Sequence, residues 1–231
     1  MRGGLRSIAS KLWQCFLDSL YPKHCLGCDN EGSYYCNDCQ QKPITQWRGG
    51  CFGCGEKTEN GKLCRNCEIK YAFDAVFIMS DYDDEIIGTL IKNCKYQFVK
   101  ELTKDLGKLG ARFLKTKNIH ACLVPVPLSA KRRRWRGFNQ VEEIANVIAK
   151  ETNIEIQHCL ERIKNKKAQA KLSEIERLTN MQGCYKVVGE VPETVILFDD
   201  VITTGATINE CAKVLRLAGA ETIFVLALAK G

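Results

Sequence analysis

Eight cysteines and one acidic, threonine-rich segment are the parts of this 231-residue sequence whose types and spacing point to chemistry. The cysteines form four C-x-x-C pairs, Cys25/Cys28, Cys36/Cys39, Cys51/Cys54 and Cys64/Cys67, spaced C-x2-C-x7-C-x2-C-x11-C-x2-C-x9-C-x2-C. A structural zinc ion takes four sulfurs in a tetrahedron, so these eight suffice for two ions. Sequence order assigns Cys25, Cys28, Cys36 and Cys39 to one ion and Cys51, Cys54, Cys64 and Cys67 to the other; an interleaved cross-brace would use the same residues. With every position filled by sulfur, neither ion keeps a place for water, and the role is structural rather than catalytic. An iron–sulfur or redox centre is the competing reading, and His24 is adjacent but superfluous.

The second segment is VILFDDVITTGAT, residues 195–207. A buried strand ends in Asp199 and Asp200, and a Thr- and Gly-rich turn then opens a helix. The backbone N–H groups of such a turn, the hydroxyls of Thr203, Thr204 and Thr207 and the positive helix end make an anion cradle. Gly205 lets the backbone approach a phosphate closely. Carboxylates just before the cradle repel phosphate but accept hydrogen bonds from sugar hydroxyls, or hold Mg2+ through water. A ribose 5-phosphate satisfies both halves; an acidic strand end followed by a threonine-capped helix is the plainer alternative.

A third segment, KRRRWR at 131–136, sets Trp135 among Arg132, Arg133, Arg134 and Arg136. One aromatic amid phosphate-binding charge suits single-stranded nucleic acid, with Lys164, Lys166, Lys167 and Lys171 adding to the charge. A solvated basic face is the alternative. The chain carries 34 Lys+Arg against 27 Asp+Glu, a net charge of +7 that favours anionic partners.

These groups need elements to hold them. Near-average apolar (45%) and charged (26%) fractions exclude a broadly disordered chain. Residues 1–22 place Leu5, Ile8, Leu12, Phe16 and Leu20 on one stripe of an amphipathic helix, which packs on its own domain or docks on a membrane surface or partner. Residues 23–71 lack apolar periodicity, so metal must supply their stability. From 72 to 231 the pattern predicts strands at 75–80, 121–127, 154–158, 195–198 and 222–229, with helices near 84–95, 100–115, 138–150 and 206–218. Alternating strands and helices make an α/β domain, a parallel sheet with helices on both faces. No stretch approaches the ~20 apolar residues that span a bilayer, so the chain is not read as an integral membrane protein. The N-terminus lacks a clean export signal, and paired C-x-x-C motifs hold metal where thiols stay reduced. The expected location is the cytoplasm, including the inner face of the membrane.

At residues 195–207 the sequence resembles the type I phosphoribosyltransferases, whose signature is four apolar residues, two acidic residues and a Thr/Gly loop. VPVPLSAKRRRWRGFNQ at 124–140 and the upstream double zinc ribbon are similar to the ComF/GntX family of competence-associated proteins, and the resemblance covers nearly the whole chain. Arg162, Gln169, Leu172, Arg177, Asn180 and Gly183 fit that pattern, whereas Lys166 and Tyr185 stand where Thr and Phe are expected. The resemblance implies a phosphoribosyltransferase-like sheet. In it, Asp199 and Asp200 bind ribose hydroxyls of phosphoribosyl pyrophosphate (PRPP), and Thr203, Thr204, Gly205, Ala206 and Thr207 cradle its 5-phosphate. It further implies that Pro127 to Arg136 is the loop receiving pyrophosphate with Mg2+, through Arg133, Arg134 and Arg136. Lys164 or Lys166 would close over the site on a lid at 164–171. Enzymes of this class that act on hypoxanthine and guanine resemble one another in an Asp at the position of Thr203, so nucleobase salvage is weakly supported. The resemblance favours a role in DNA uptake alongside uptake-machinery proteins. Three functions stay open: phosphoribosyl transfer to an acceptor, PRPP sensing without turnover, and a single-stranded DNA adaptor.

Overall fold

The computed structural model describes residues 22–44, 47, 49–163 and 183–231. The amphipathic stripe at 5–20 and the Lys-rich segment, with Lys164, Lys166, Lys167, Gln169, Lys171, Leu172, Arg177 and Asn180, lie outside the described residues. Among those that are described, no helix is long and apolar enough to cross a membrane. The chain divides into two compact units between Pro43 and Ile44, so the boundary falls between the two cysteine groups.

In the first unit, α1 (Asn37–Gln41) begins directly after Cys36 and carries Cys39, which is fully buried. Tyr35 is buried beside it, and its hydroxyl donates to the Cys39 carbonyl at 3.0 Å. A single bridge joins His24 and Glu31. Among the described residues of this unit only Cys25, Tyr35 and Cys39 are buried, in keeping with a metal-dependent fold.

The second unit contains α2 (Arg65–Glu68), β1 (Ala75–Asp81), α3 (Glu85–Tyr96), α4 (Leu102–Lys115), β2 (Cys122–Pro125), α5 (Ala130–Arg136), α6 (Gln140–Thr152), β3 (Leu160–Arg162), β4 (Tyr185–Val187), β5 (Thr194–Ile202), α7 (Ala206–Leu217) and β6 (Thr222–Lys230). The main sheet runs β1-β6-β5-β2, all neighbours parallel. Its central strands are apolar almost throughout, as strands covered on both faces must be. One face packs against α7 through Ile208, Cys211, Ala212 and Leu215. The other carries α3, α4 and α6. There Gly107 and Gly110 let α4 approach closely: a Cβ on Gly107 would fall 2.5 Å from Val147, and one on Gly110 2.9 Å from Ile148 and 3.0 Å from Leu228 of β6.

Three local expectations differ from the structure. Residues 154–158 make only one bridge to β2, Ile156 to Leu123, because the peptide pairs too briefly to extend a strand. Residues 130–136, read as part of a loop, form α5. Ser129 caps it by accepting from the Arg132 amide at 3.3 Å, and Gly137 ends it at φ +75°. Third, the segment read as coreless includes core residues: Cys51, Phe52, Leu63, Cys64 and Cys67 share one apolar cluster with Val195, Leu197, Val225 and α7. The antiparallel pair of β3 and β4 is too short to have left a pattern in the sequence.

The two cysteine groups should therefore answer metal removal differently. Cys64→Ser should lower the melting temperature of the sheet domain, while Cys36→Ser should leave that transition in place. Calorimetric melts of the two variants, with zinc content measured in each, check this.

Candidate functional site

Each cysteine group converges as sequence order assigns. The Sγ atoms of Cys25, Cys28, Cys36 and Cys39 lie within 4.8 Å of one another, as do those of Cys51, Cys54, Cys64 and Cys67. Sulfurs at about 2.3 Å from a tetrahedral zinc stand about 3.8 Å apart. The Cys28–Cys36 and Cys54–Cys64 separations are 3.6 and 3.5 Å. Backbone amides point at one sulfur in each group: Cys36 and Gly27 donate to Cys25 Sγ at 3.3 and 3.4 Å, and Cys64 donates to Cys51 Sγ at 3.3 Å. Burial pushes both thiols up, yet these donors outweigh it and hold Cys25 at about 6 and Cys51 at about 7. Both groups thus fit structural zinc. His24 stays outside, its Nδ1 set 3.1 Å from the Asp29 carbonyl.

The carboxylate pair ends β5, where successive side chains point to opposite faces of the sheet. Asp200 lies on the face of α3 and α6. Lys95, from the last turn of α3, meets its Oδ1 at 2.9 Å, and Gln140, first residue of α6, donates Nε2 to its Oδ2 at 3.1 Å. The Lys95 and Asp200 side chains keep only 12% and 6% exposure, so this ion pair is buried. Burial alone would lower the Lys95 ammonium, but the adjacent Asp200 raises it, and the lysine is charged. Arg136 completes this side: it is buried, its Nε has no hydrogen-bond partner among the described residues, and burial lowers its pKa against the attraction of Asp200. Asn139 Oδ1 and Gln140 Oε1 are likewise buried without partners there.

Asp199 lies on the face of α7, half-buried, and no cation among the described residues pairs with it. Its Oδ1 accepts the Asp200 amide at 2.9 Å. Burial first, and then the neighbouring Asp200 charge, push its carboxyl up to about 7. The two aspartates thus differ: Asp200 is already neutralised by a lysine, and Asp199 is open to a ligand.

Beyond the pair, the turn Thr203–Gly205 leads into α7. Gly205 sits at its N-cap with φ +74°, and no side chain caps the first turn. Thr203 is exposed, Thr204 and Thr207 are half-buried, and Ala206 is buried with its amide 3.4 Å from Thr204 Oγ1. Apart from the Ala206 amide, which donates to Thr204 Oγ1, the amides of the helix start and the threonine hydroxyls suit an anion. Gly205 has a second reason to be glycine: a Cβ there would lie 2.6 Å from the Phe52 ring, in the Cys51–Cys54 knuckle. Lys230 Nζ lies 5.9 Å from that ring and 5.7 Å from Trp47. The second cysteine group therefore forms part of the cradle's wall.

The arginines read as pyrophosphate or DNA contacts separate. Arg133 pairs with Glu142 at 3.1 Å, Arg134 is exposed, and Arg136 turns inward toward Asp200. Tyr185, where Phe was expected, is buried with its hydroxyl accepting from Arg162 Nη1 at 3.1 Å, which satisfies the added oxygen. Lys95 escaped the sequence reading because it lies in no recognisable motif, and Gln140, although it ends the quoted segment 124–140, has no role legible there, since only folding brings the two to Asp200.

The aspartates should respond oppositely to neutralisation. Asp200→Asn strands the buried Lys95 charge and should destabilise the protein by about 3–5 kcal/mol. Asp199→Asn removes a carboxyl whose folded pKa is raised. Because the folded form keeps its proton where the unfolded chain loses it, wild-type stability falls as pH rises from the ordinary carboxylate range to about 7. Asp199→Asn should lack that decline, so its advantage over the wild type should grow up to about pH 7. Urea melts between pH 4 and 8 check both signs.

Comparison with known proteins agrees with this layout. A family model described as a double zinc ribbon domain matches residues 16–72. Competence protein F of Haemophilus influenzae is 27% identical over 86% of this chain and 97% of its own length. Competence protein ComFC of Streptococcus pneumoniae is 28% identical over 87% and 90%, and DNA utilization protein YhgH of Escherichia coli O157:H7 is 26% identical over 78% and 83%. With a cysteine-rich double zinc ribbon region and a parallel α/β domain, the chain is similar along most of its length to competence protein F, ComFC and YhgH.

Proposed function

We propose that the carboxyl end of β5 and the start of α7 bind a ribose 5-phosphate moiety, with PRPP and its accompanying Mg2+ as the full ligand. The observation that carries this reading is the pairing of an unneutralised, half-buried carboxylate, Asp199, with an uncapped helix start only a few residues later. Asp199 accepts hydrogen bonds from the sugar hydroxyls. The amides and hydroxyls of Thr203, Thr204, Gly205, Ala206 and Thr207 hold the phosphate. Asp200 works indirectly, fixing Lys95 and Gln140 beside the sugar. Arg136, charged and without a partner for its Nε among the described residues, is the inward group best placed to meet further negative charge such as a pyrophosphate. Mg2+ supplies charge neutralisation on the diphosphate when it is bound.

The relatives are named for competence and DNA utilization, which supports a role for this chain in DNA uptake during transformation. In that role the sugar phosphate site reports or uses nucleotide precursors. Calorimetric titration of PRPP with Mg2+ into zinc-loaded protein should give saturable binding. Asp199→Asn should weaken it at least about 5-fold, the loss of a charged hydrogen bond. Thr207→Val, which keeps the shape without the hydroxyl, should weaken ribose 5-phosphate as well. Absence of heat with PRPP and with ribose 5-phosphate in the folded wild type would overturn the proposal.

A further inference from the structure

Three large aromatic side chains stay exposed yet lie together: Trp135 (57%), Tyr96 (53%) and Phe98 (41%). Phe98 meets Trp135 edge to face with ring centroids 5.1 Å apart, and Tyr96 lies 6.5 Å from Trp135. They come from the end of α3 and the end of α5, segments far apart in sequence. Two adjacent pairs face each other here. In Lys95-Tyr96 and Trp135-Arg136 the cations turn inward to the Asp200 side while the rings turn outward. The Arg136 guanidinium lies 5.9 Å from the Trp135 ring and 6.0 Å from the Tyr96 ring, bracing both from beneath.

The rim of this cluster is cationic. Lys131 and Arg132 precede Trp135 by one helical turn on the same side of α5, are exposed, and have no carboxylate partner among the described residues. Nearby Arg133 and Lys100 differ, since each is paired, with Glu142 and Glu143. Open ring faces beside unpaired positive charge fit a polymer that alternates flat apolar units with phosphates. A duplex hides its base faces in the stack, and an acidic peptide would use the charge but not three rings.

We infer that Tyr96, Phe98 and Trp135 form a stacking platform for unpaired bases of a single nucleic acid strand, whose phosphates lie against Lys131 and Arg132. The platform borders the sugar phosphate site through Arg136 but uses none of residues 199–207, so it stands apart from the PRPP reading. It also redistributes the basic segment: Arg133 is engaged by Glu142, Arg136 is a support, and the strand meets the start of α5.

Anisotropy with a labelled oligothymidylate, a same-length abasic strand and a duplex tests it in the full zinc-loaded chain. The wild type should bind the thymidylate at least about 5-fold more tightly than the abasic strand. Trp135→Ala and Phe98→Ala should each cost about 5- to 100-fold on thymidylate while hardly changing abasic binding. Lys131→Gln with Arg132→Gln should weaken both strands and flatten the dependence of log K on log salt by about 1.4. Phe98→Ala should retain the wild-type melting temperature and its heat with ribose 5-phosphate, which separates this proposal from the sugar phosphate site. Equal binding of thymidylate and abasic strand, a tighter grip on duplex, or no binding at low salt would each overturn it, the last leaving the patch to a protein partner.

Discussion

The buried Lys95–Asp200 pair is the contact on which the arrangement of the site depends. β5 ends in two adjacent carboxylates, and adjacent strand residues must face opposite sides of the sheet. One of them is driven among α3 and α6, where an unpaired charge would be untenable, and Lys95 meets it at 2.9 Å. That contact ties the end of α3 to the tip of β5, while Gln140 ties the start of α6 to the same carboxylate. The adjacent residue, Asp199, is left on the other face with no ion pair among the described residues, and burial and the Asp200 charge raise its pKa. Two like neighbours in sequence thus meet two different surroundings, one paired to a lysine and the other without an ion pair among the described residues.

The second constraint is steric. Phe52 fills the space that any side chain at Gly205 would need, so the turn that starts α7 is fixed from the side of the second cysteine group. Asn209 of α7 strengthens the same junction, accepting the Ala72 amide at 2.8 Å. Arg216 adds a two-pronged contact to Asp74, 2.6 Å to each oxygen. Metal held by Cys51, Cys54, Cys64 and Cys67 therefore bears on the helix start proposed to hold phosphate. The first cysteine group belongs to a separate compact unit.

Much of this was legible in the sequence because it is local. Four C-x-x-C pairs report their own geometry, and the run VILFDD declares a buried strand ending in charge. The parallel sheet followed from strands alternating with helices, and the order β1-β6-β5-β2 bears that out. What was illegible depends on distance along the chain. Lys95 is an ordinary helix residue until α3 packs beside β5. Tyr96 and Phe98 are unremarkable until they meet Trp135. The basic run at 131–136 reads as loop because charge obscures any apolar stripe, although Ser129 and Gly137 are sound helix boundaries. Residues 51–67 read as coreless because their contribution, Cys51, Phe52, Leu63, Cys64 and Cys67, is too sparse for periodicity and joins a core built elsewhere.

The central claim is that Asp199 and the uncapped start of α7 together receive a sugar phosphate. Amide NMR of the zinc-loaded protein during a ribose 5-phosphate titration tests it most directly, since a phosphate accepting from backbone N–H groups deshields those protons. The account predicts saturable downfield shifts at Gly205, Ala206 and Thr207 with a smaller response at Asp199. Saturable shifts confined to Lys131–Arg136, or no shift at the α7 start under conditions where the ligand binds, would contradict it.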